Sequence, residues 1–173
     1  TTLEHTVLLP YLDPQAALPG ALNWNDLMSH PAAGGEMRFE QLPFDHPLWI
    51  LYSSGTTGMP KPIVHGHGGT LLETLKGHAL ALDLGEDDRF LWFSTTGWVM
   101  WNAQVTGLLV GATICIYDGN PGYPDLGRLW RFAEEQRITF MGAGAAFFAN
   151  CMKAGIAPAK MADLSALRSV GST

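Results

Sequence analysis

The sequence predicts an α/β fold with a mostly parallel sheet flanked by helices, and three observations favour it. Short apolar runs of strand length alternate with longer segments of helical periodicity. Clusters of Gly, Pro, Asn, Asp and Ser separate many of these segments. The 173 residues are enough for one domain with a buried core. Strands and helices that alternate at this spacing are typical of parallel sheets covered on their faces by helices.

The first part of the chain is weakly patterned, and we interpret residues 1–47 as a connecting edge segment of the same domain. Within it, Thr6–Leu9 predicts a short strand. Asn23–Met28 predicts a helical turn, for which Asn23 or Asn25 is a suitable cap. From Leu48 the pattern sharpens, and we assign residues 48–173 to one α/β subdomain. Its opening segments predict a buried strand at 48–52 and a second short strand at 61–65.

The rest of the chain alternates between the two kinds of element. Helical periodicity predicts helices over residues 70–84, 99–110, 125–136 and 145–154, and Gly85 is a suitable terminator for the first of them. Compact apolar runs predict strands over residues 90–93, 112–117, 138–141 and 167–170.

Composition and charge exclude several classes of function. The net charge is -6 and the ten basic residues are scattered, which argues against nucleic-acid and membrane-surface partners. Residues 90–117 carry no charge, but polar residues and glycines interrupt them, so we expect no membrane span. Apolar residues make up 47% of the chain and charged residues 15%. We therefore expect that further chain covers part of this surface.

The two cysteines, Cys115 and Cys151, both lie in apolar surroundings. We predict two buried, reduced thiols and no metal site, because two thiols without further ligands cannot hold zinc. No basic stretch followed by an apolar run opens the chain, so no signal peptide is expected. Together these features predict a cytoplasmic protein.

The most informative segment is the polar loop Tyr52–Pro62, which joins two predicted strands. It combines four Ser and Thr hydroxyls with glycines at 55 and 58 and an ammonium group at Lys61. Oriented hydroxyls, exposed backbone N–H groups and one cation suit a polyphosphate. The glycine spacing does not match a Walker A loop, and the dinucleotide fingerprint is absent. Composition alone equally allows a polar loop that is rich in small residues because it turns tightly.

The order of the residues resembles a known family. Tyr-Ser-Ser-Gly-Thr-Thr-Gly-Met-Pro-Lys is similar to the phosphate loop of the adenylate-forming superfamily, which includes the acyl-CoA synthetases. That resemblance implies that this loop embraces the β- and γ-phosphates of ATP. The residues implied are Ser53, Ser54, Gly55, Thr56, Thr57, Gly58 and Lys61. One departure is Pro62, where the family usually has glycine, and it stiffens the exit from the loop.

The resemblance continues along the rest of the chain. Residues 93–102 fall where the family has the aromatic segment of its acyl pocket, which implies that role for Gly97, Trp98 and Val99, with Trp101 in the core. The last residues resemble the start of the adenine-binding segment, which implies an adenine-side position for Gly171, Ser172 and Thr173. Asp45–Trp49, Val64–Gly69, the Thr-Thr-Gly-Trp run and Tyr117–Pro121 resemble the branch that activates acetoacetate. Branches that activate acetate or propionate are similar but less close.

The resemblance implies an enzyme that uses ATP and Mg²⁺ to convert a small carboxylate to an acyl-adenylate and then transfers the acyl group to coenzyme A. We expect these residues to be an internal part of the N-terminal domain of such an enzyme, docked against its other parts. They contain no complete catalytic set and no implied metal ligand, so we expect no turnover from them alone. Two alternatives remain open: activation of acetate or propionate, and a non-catalytic nucleotide-binding module.

Overall fold

The computed structural model describes residues 2–30, 38–53 and 58–173. The chain divides into two compact units, Thr1–Gln41 and Leu42–Thr173. The predicted boundary between residues 47 and 48 falls inside the second unit, and it stays a prediction.

The first unit contains a minimal pair of strands and one short helix. Strand β1 (Val7–Leu8) pairs in parallel with β2 (Leu22–Asn23), and helix α1 follows directly (Trp24–Ser29). Asn23 is the N-cap of α1, since its side-chain oxygen accepts a hydrogen bond of 2.8 Å from the backbone N–H of Asn25. The predicted strand, helical turn and cap are therefore confirmed.

The second unit begins with an antiparallel hairpin of β3 (Pro47–Ser53) and β4 (Lys61–Gly66). Both strands were predicted, but the burial predicted for the first is wrong: Ile50 is 55% exposed and Tyr52 is 66% exposed. Trp49 and Leu51, which alternate with them, are half-buried. A strand that is apolar on both faces is fully buried only when both faces are covered. The described part of the chain covers one.

The remaining helices and strands follow the predicted order. Helix α2 (His67–Lys76) continues into a π-helical turn at Gly77–Ala81, and α3 (Val99–Thr106) continues into a 3₁₀ turn at Gly107–Val110. Helices α4 (Arg128–Glu135) and α5 (Ala145–Lys153) come later in the chain, and a 3₁₀ turn lies at Pro158–Lys160. The strands are β5 (Arg89–Trp92), β6 (Thr113–Ile114), β7 (Phe140–Ala143) and β8 (Ser169–Ser172).

These four strands form one parallel sheet, as the sequence predicted, and their order in it is β6-β5-β7-β8. Successive side chains of each strand point to opposite faces of the sheet. Leu91 and Met141 pack in a large cluster with residues of α4 and α5. Phe90, Trp92 and Phe140 form a second cluster, with Met100 of α3 packed against it. Helix α3 therefore covers one face of the sheet and α4 and α5 cover the other.

A clamp of polar side chains fixes the amino edge of this sheet. The carboxylate of Asp88 accepts hydrogen bonds from Arg168 at 2.8 and 3.0 Å and from the Thr139 hydroxyl at 2.6 Å. These residues immediately precede β5, β8 and β7 respectively. Burial raises the pKa of Asp88, but hydrogen bonds from Arg168, Thr139 and the backbone of Gly85 outweigh it, so the pKa lies below its ordinary value.

Cys115 and Cys151 are buried and unpaired with each other, as predicted. Burial raises the pKa of the Cys115 thiol, and Arg89 offsets part of that rise. None of the helices in the described ranges is long and apolar enough to cross a membrane.

Candidate nucleotide and acyl site

The hairpin holds the two ends of the predicted phosphate loop together. Its register pairs Ser53 with Lys61 and, one step further in, Tyr52 with Pro62. Pairing therefore continues through the proline that departs from the family pattern. The loop itself spans residues 54–60, and Ser54, Gly55, Thr56 and Thr57 lie outside the described residues. Ser53, Gly58 and Lys61 are described, and the last two are exposed.

The cation of this loop, Lys61, is exposed. Among the described residues, Lys61 takes part in none of the salt bridges. Gly58 has open space where a side chain would stand. An exposed ammonium near a glycine that has no side chain suits a phosphate chain, which needs both room and a positive charge.

The topology of the parallel sheet predicts a crevice at its carboxyl edge, between β5 and β7. The chain leaves β5 toward β6 on one side and leaves β7 toward β8 on the other. In open parallel sheets, ligands bind where such connections diverge, outside the carboxyl ends of the strands. The backbone N–H of Phe93 donates to the Gly142 carbonyl at 2.8 Å, so the pairing of β5 with β7 reaches this rim.

The residues predicted for the acyl pocket lie on the β5 side of that crevice. Trp98 is the N-cap of α3 and is 53% exposed. Its backbone N–H donates to Thr95 at 3.2 Å, which closes the turn that leads from β5 into the helix. Val99 lines a cavity of about 200 Å³ together with residues of the hairpin, α2 and α3. Gly97 has open space around its Cα. A small, mostly apolar cavity lined by Val99 suits a small acyl group, although Trp98 is not among its lining residues.

The residues predicted for the adenine side lie on the other side of the crevice, at the end of β8. Gly171 pairs with Gly142 and Ser172 pairs with Ala143. The carbonyl of Thr173 accepts a hydrogen bond of 2.8 Å from the backbone N–H of Ala145, at the start of α5. The structure thus brings the predicted acyl and adenine residues to one edge of one sheet, two strands apart.

Sequence reasoning missed the Trp92 side chain, which packs against this edge of the sheet. The Trp92 indole lies over two neighbouring glycines: an added Cβ would come within 2.2 Å of the ring at Gly142 and within 2.6 Å at Gly171. Trp92 is 7% exposed and stacks on Phe140, with ring centroids 6.3 Å apart. Glycine inside an apolar strand marks close approach of another group, so Gly142 carried the signal that could have revealed the contact.

A metal site was not predicted from the residues of this chain. In residues 2–30, 38–53 and 58–173 there is no group of three or more His, Cys, Asp or Glu side chains that could hold a metal ion.

Diverging connections at the carboxyl edge of a parallel sheet are typical of nucleotide-binding proteins. The chain belongs to the AMP-binding enzyme family, which matches residues 4–173.

Its relatives include acetoacetyl-CoA synthetases. The acetoacetyl-coenzyme A synthetase of Rhizobium meliloti (strain 1021) is 45% identical over 171 residues, which are 97% of this chain and 26% of that protein. The enzyme of Gallus gallus is 37% identical and is matched over 99% of this chain and 27% of its own length. The structure of the Streptomyces lividans enzyme superposes with a TM-score of 0.86 at 49% identity, over 99% of this chain and 26% of that one.

The chain thus spans about a quarter of the length of the relatives that it matches. The identified family and fold agree with those that the sequence predicted.

Proposed function

We propose that this chain supplies the phosphate loop and the carboxyl-edge crevice of an AMP-forming acyl-CoA synthetase that activates acetoacetate. The observation that carries the proposal is the register of the hairpin. It pairs Ser53 with the exposed Lys61 at the two ends of the predicted phosphate loop. Membership of the AMP-binding family supports the nucleotide, and the acetoacetyl-CoA synthetases among the relatives support the acyl group.

The proposed reaction has two steps. In the first, a carboxylate oxygen of acetoacetate attacks the α-phosphorus of ATP, the bond from that phosphorus to the bridging oxygen breaks, and pyrophosphate leaves. In the second, the thiolate of coenzyme A attacks the acyl carbon, and AMP leaves with the electron pair of the broken C–O bond. Both steps depend on alignment and on neutralising phosphate charge more than on covalent help from side chains.

The residues of this chain have distinct parts in that scheme. Lys61 and the loop from Ser53 to Gly58 hold the β- and γ-phosphates and offset the charge of the departing pyrophosphate. Trp98 and Val99 wall the acyl group and exclude water from the carboxylate. Gly171, Ser172 and Thr173 border the adenine. Mg²⁺ supplies further charge neutralisation on the phosphates in enzymes of this chemistry, and no described residue of this chain is assigned as its ligand.

The surface of the hairpin supports a larger enzyme around this chain. Ile50 and Val64 face outward with 55% and 57% of their surfaces exposed. Apolar strand surface of this kind normally lies in an interface. We propose that other parts of the enzyme cover it, and that the enzyme works in the cytoplasm with two reduced, buried thiols in this segment.

The test is ATP–pyrophosphate exchange by the full-length polypeptide that carries this chain, with acetoacetate and acetate compared. Exchange driven chiefly by acetoacetate supports the proposal. Exchange driven equally or better by acetate keeps the reaction and overturns the substrate. Absence of exchange with any short carboxylate, together with binding of ATP, favours a non-catalytic nucleotide-binding module instead.

A further inference from the structure

Gln104 of helix α3 is a buried polar side chain at the carboxyl edge of the sheet, and it is not one of the residues of the proposed site. It is 1% exposed. Its amide oxygen accepts a hydrogen bond of 2.8 Å from the backbone N–H of Trp92, and its amide nitrogen donates one of 2.6 Å to the carbonyl of Cys115. A backbone N–H can only donate and a carbonyl can only accept, so these partners fix the orientation of the amide.

These two hydrogen bonds replace one backbone hydrogen bond of a regular parallel sheet. The backbone N–H of Cys115 donates to the Phe90 carbonyl at 2.8 Å, as expected for the parallel pair β5–β6. The next bond of a parallel ladder would join the Trp92 N–H directly to the Cys115 carbonyl. The Gln104 amide lies between them instead. The predicted strand over residues 112–117 therefore ends at Ile114, because β6 parts from β5 where the side chain enters.

The insertion ties helix α3 to the carboxyl rim. Met100, one turn before Gln104, packs in the cluster that contains Trp92. Gly107, one turn after it, lets the helix approach so closely that an added Cβ would stand 2.9 Å from the ring of Phe90. Helix α3 and the 3₁₀ turn that follows it are thus held against the sheet at three successive turns, and the middle contact is the bond from the backbone of Trp92 to Gln104.

The first turn of the same helix carries Trp98 and Val99. Gln104 lies five residues beyond Val99, which is about 7.5 Å along a helix axis. A shift of α3 across the sheet would therefore move the acyl-side residues directly. The residue whose backbone N–H bonds Gln104 also packs its indole against Gly171, so Trp92 contacts both α3 and the adenine side.

We propose that Gln104 is a positioning residue for acyl selectivity: by replacing a rung of the ladder between Trp92 and Cys115, it sets where α3 presents Trp98 and Val99 to the acyl group. This inference rests on the proposed function of the crevice. Gln104 touches no substrate, and its effect is transmitted through the helix.

The test uses the full-length polypeptide with Gln104→Met, which keeps the length of the side chain but can neither accept from Trp92 nor donate to Cys115. We expect KM for acetoacetate to rise about tenfold. We also expect the ratio of kcat/KM for acetoacetate to that for acetate to fall by a similar factor. KM for ATP should change less than about twofold, since the phosphate loop lies on the hairpin.

Asp88→Asn is the matched control, because it weakens the opposite, amino edge of the same sheet. It should leave the selectivity ratio at the wild-type value even if it lowers the melting temperature as much as Gln104→Met does. Gln104→Asn is a second variant, which keeps the amide but is one methylene shorter, so it cannot reach both Trp92 and Cys115. It should shift the ratio in the same direction, and it decides the matter if Gln104→Met does not fold.

Three results would overturn the inference: an unchanged selectivity ratio in folded Gln104→Met, equal rises in KM for ATP and acetoacetate, or an equal shift in the Asp88→Asn control. Failure of the proposed function shows separately, in the wild-type protein. If wild type prefers another carboxylate, the same variants are compared on that carboxylate and its nearest smaller analogue.

Discussion

Asp88→Asn removes one negative charge from the clamp at the amino edge of the sheet and keeps the size of the side chain. In the native structure the carboxylate accepts two bonds from Arg168, one from Thr139 and one of 2.9 Å from the backbone N–H of Gly85. A neutral amide has one oxygen in place of two, so it cannot accept all four. Its NH₂ group would also face the Arg168 guanidinium, a donor against a donor.

The size of the effect follows from how far the pair is exposed. Breaking a buried ion pair costs about 3–5 kcal/mol, whereas an exposed pair contributes roughly 0.2–1 kcal/mol. The side chain of Asp88 is 12% exposed and that of Arg168 is 35% exposed, which places this pair between the two cases. We therefore expect the opening of β5, β7 and β8 to become easier by about 2 kcal/mol, or about thirtyfold in the equilibrium constant.

Native-state hydrogen–deuterium exchange of the full-length polypeptide, read by mass spectrometry, measures this opening locally. Peptides that cover the three strands should exchange about thirtyfold faster in Asp88→Asn. Asp125→Asn is the matched control: Asp125 also accepts bonds from an arginine and a backbone N–H, but its side chain is 52% exposed. If the two variants have equal effects, burial does not determine the contribution of the clamp, and the reasoning fails.

The same carboxylate gives the protein a dependence on pH. The pKa of Asp88 is lower in the folded protein than its ordinary value near 3.8. Ionised Asp88 therefore stabilises the fold above that ordinary value, and the stabilisation is lost as the pH falls through the lower folded pKa. The difference in exchange between wild type and Asp88→Asn should be full at neutral pH and should shrink below about pH 4. A difference that persists unchanged in acid would contradict this.

Three further predictions concern the site and its support. Lys61→Ala should raise KM for ATP about tenfold or more, since it removes a charge-assisted bond to phosphate. The control is Lys76→Ala, at an exposed lysine paired with Glu73, which should leave KM for ATP unchanged. Steady-state kinetics of the two variants makes the comparison. Gly142→Ala should destabilise the sheet by about 1–3 kcal/mol because its Cβ would overlap the Trp92 ring. Hydrogen–deuterium exchange of peptides across β7 should therefore become faster. Exchange at the wild-type rate would refute the overlap. Cys115 is 6% exposed and Cys151 is 4% exposed. Both thiols should therefore resist a thiol reagent in the native protein and react with it in denaturant, which peptide mass spectrometry of the labelled protein measures. Rapid labelling of the native protein would exclude the buried state.

The sequence carried most of the secondary structure because each element has a local signal. Asn23 caps α1 through a side chain two residues from its partner, which is a purely local contact. The helices were predicted from their periodicity, and the parallel sheet was predicted from the alternation of strands and helices. The burial of β3 was predicted wrongly because an apolar run shows that a strand can be covered and cannot show what covers it.

The candidate site, like the fold, could be predicted from the sequence only in part. The order of residues from Tyr52 to Lys61 was sufficient to indicate a phosphate loop and its family, since that chemistry lies within ten consecutive residues. The roles assigned to Gly97, Trp98, Val99 and the last three residues stay predictions, although the structure brings both groups to one edge. Their common location depends on the pairing of β5, β7 and β8, which are distant in the chain.

What the sequence determined by itself is therefore the set of elements, the class of fold and the family, because these depend on spacing and residue order. The tertiary structure alone decided how Trp92 covers Gly142 and Gly171, how Asp88 joins three strand ends, and how Gln104 enters the ladder between Trp92 and Cys115. Each of these contacts joins residues that are between 11 and 80 positions apart or on different strands. No local pattern specifies such contacts, since their free energy is gained only after the sheet has assembled.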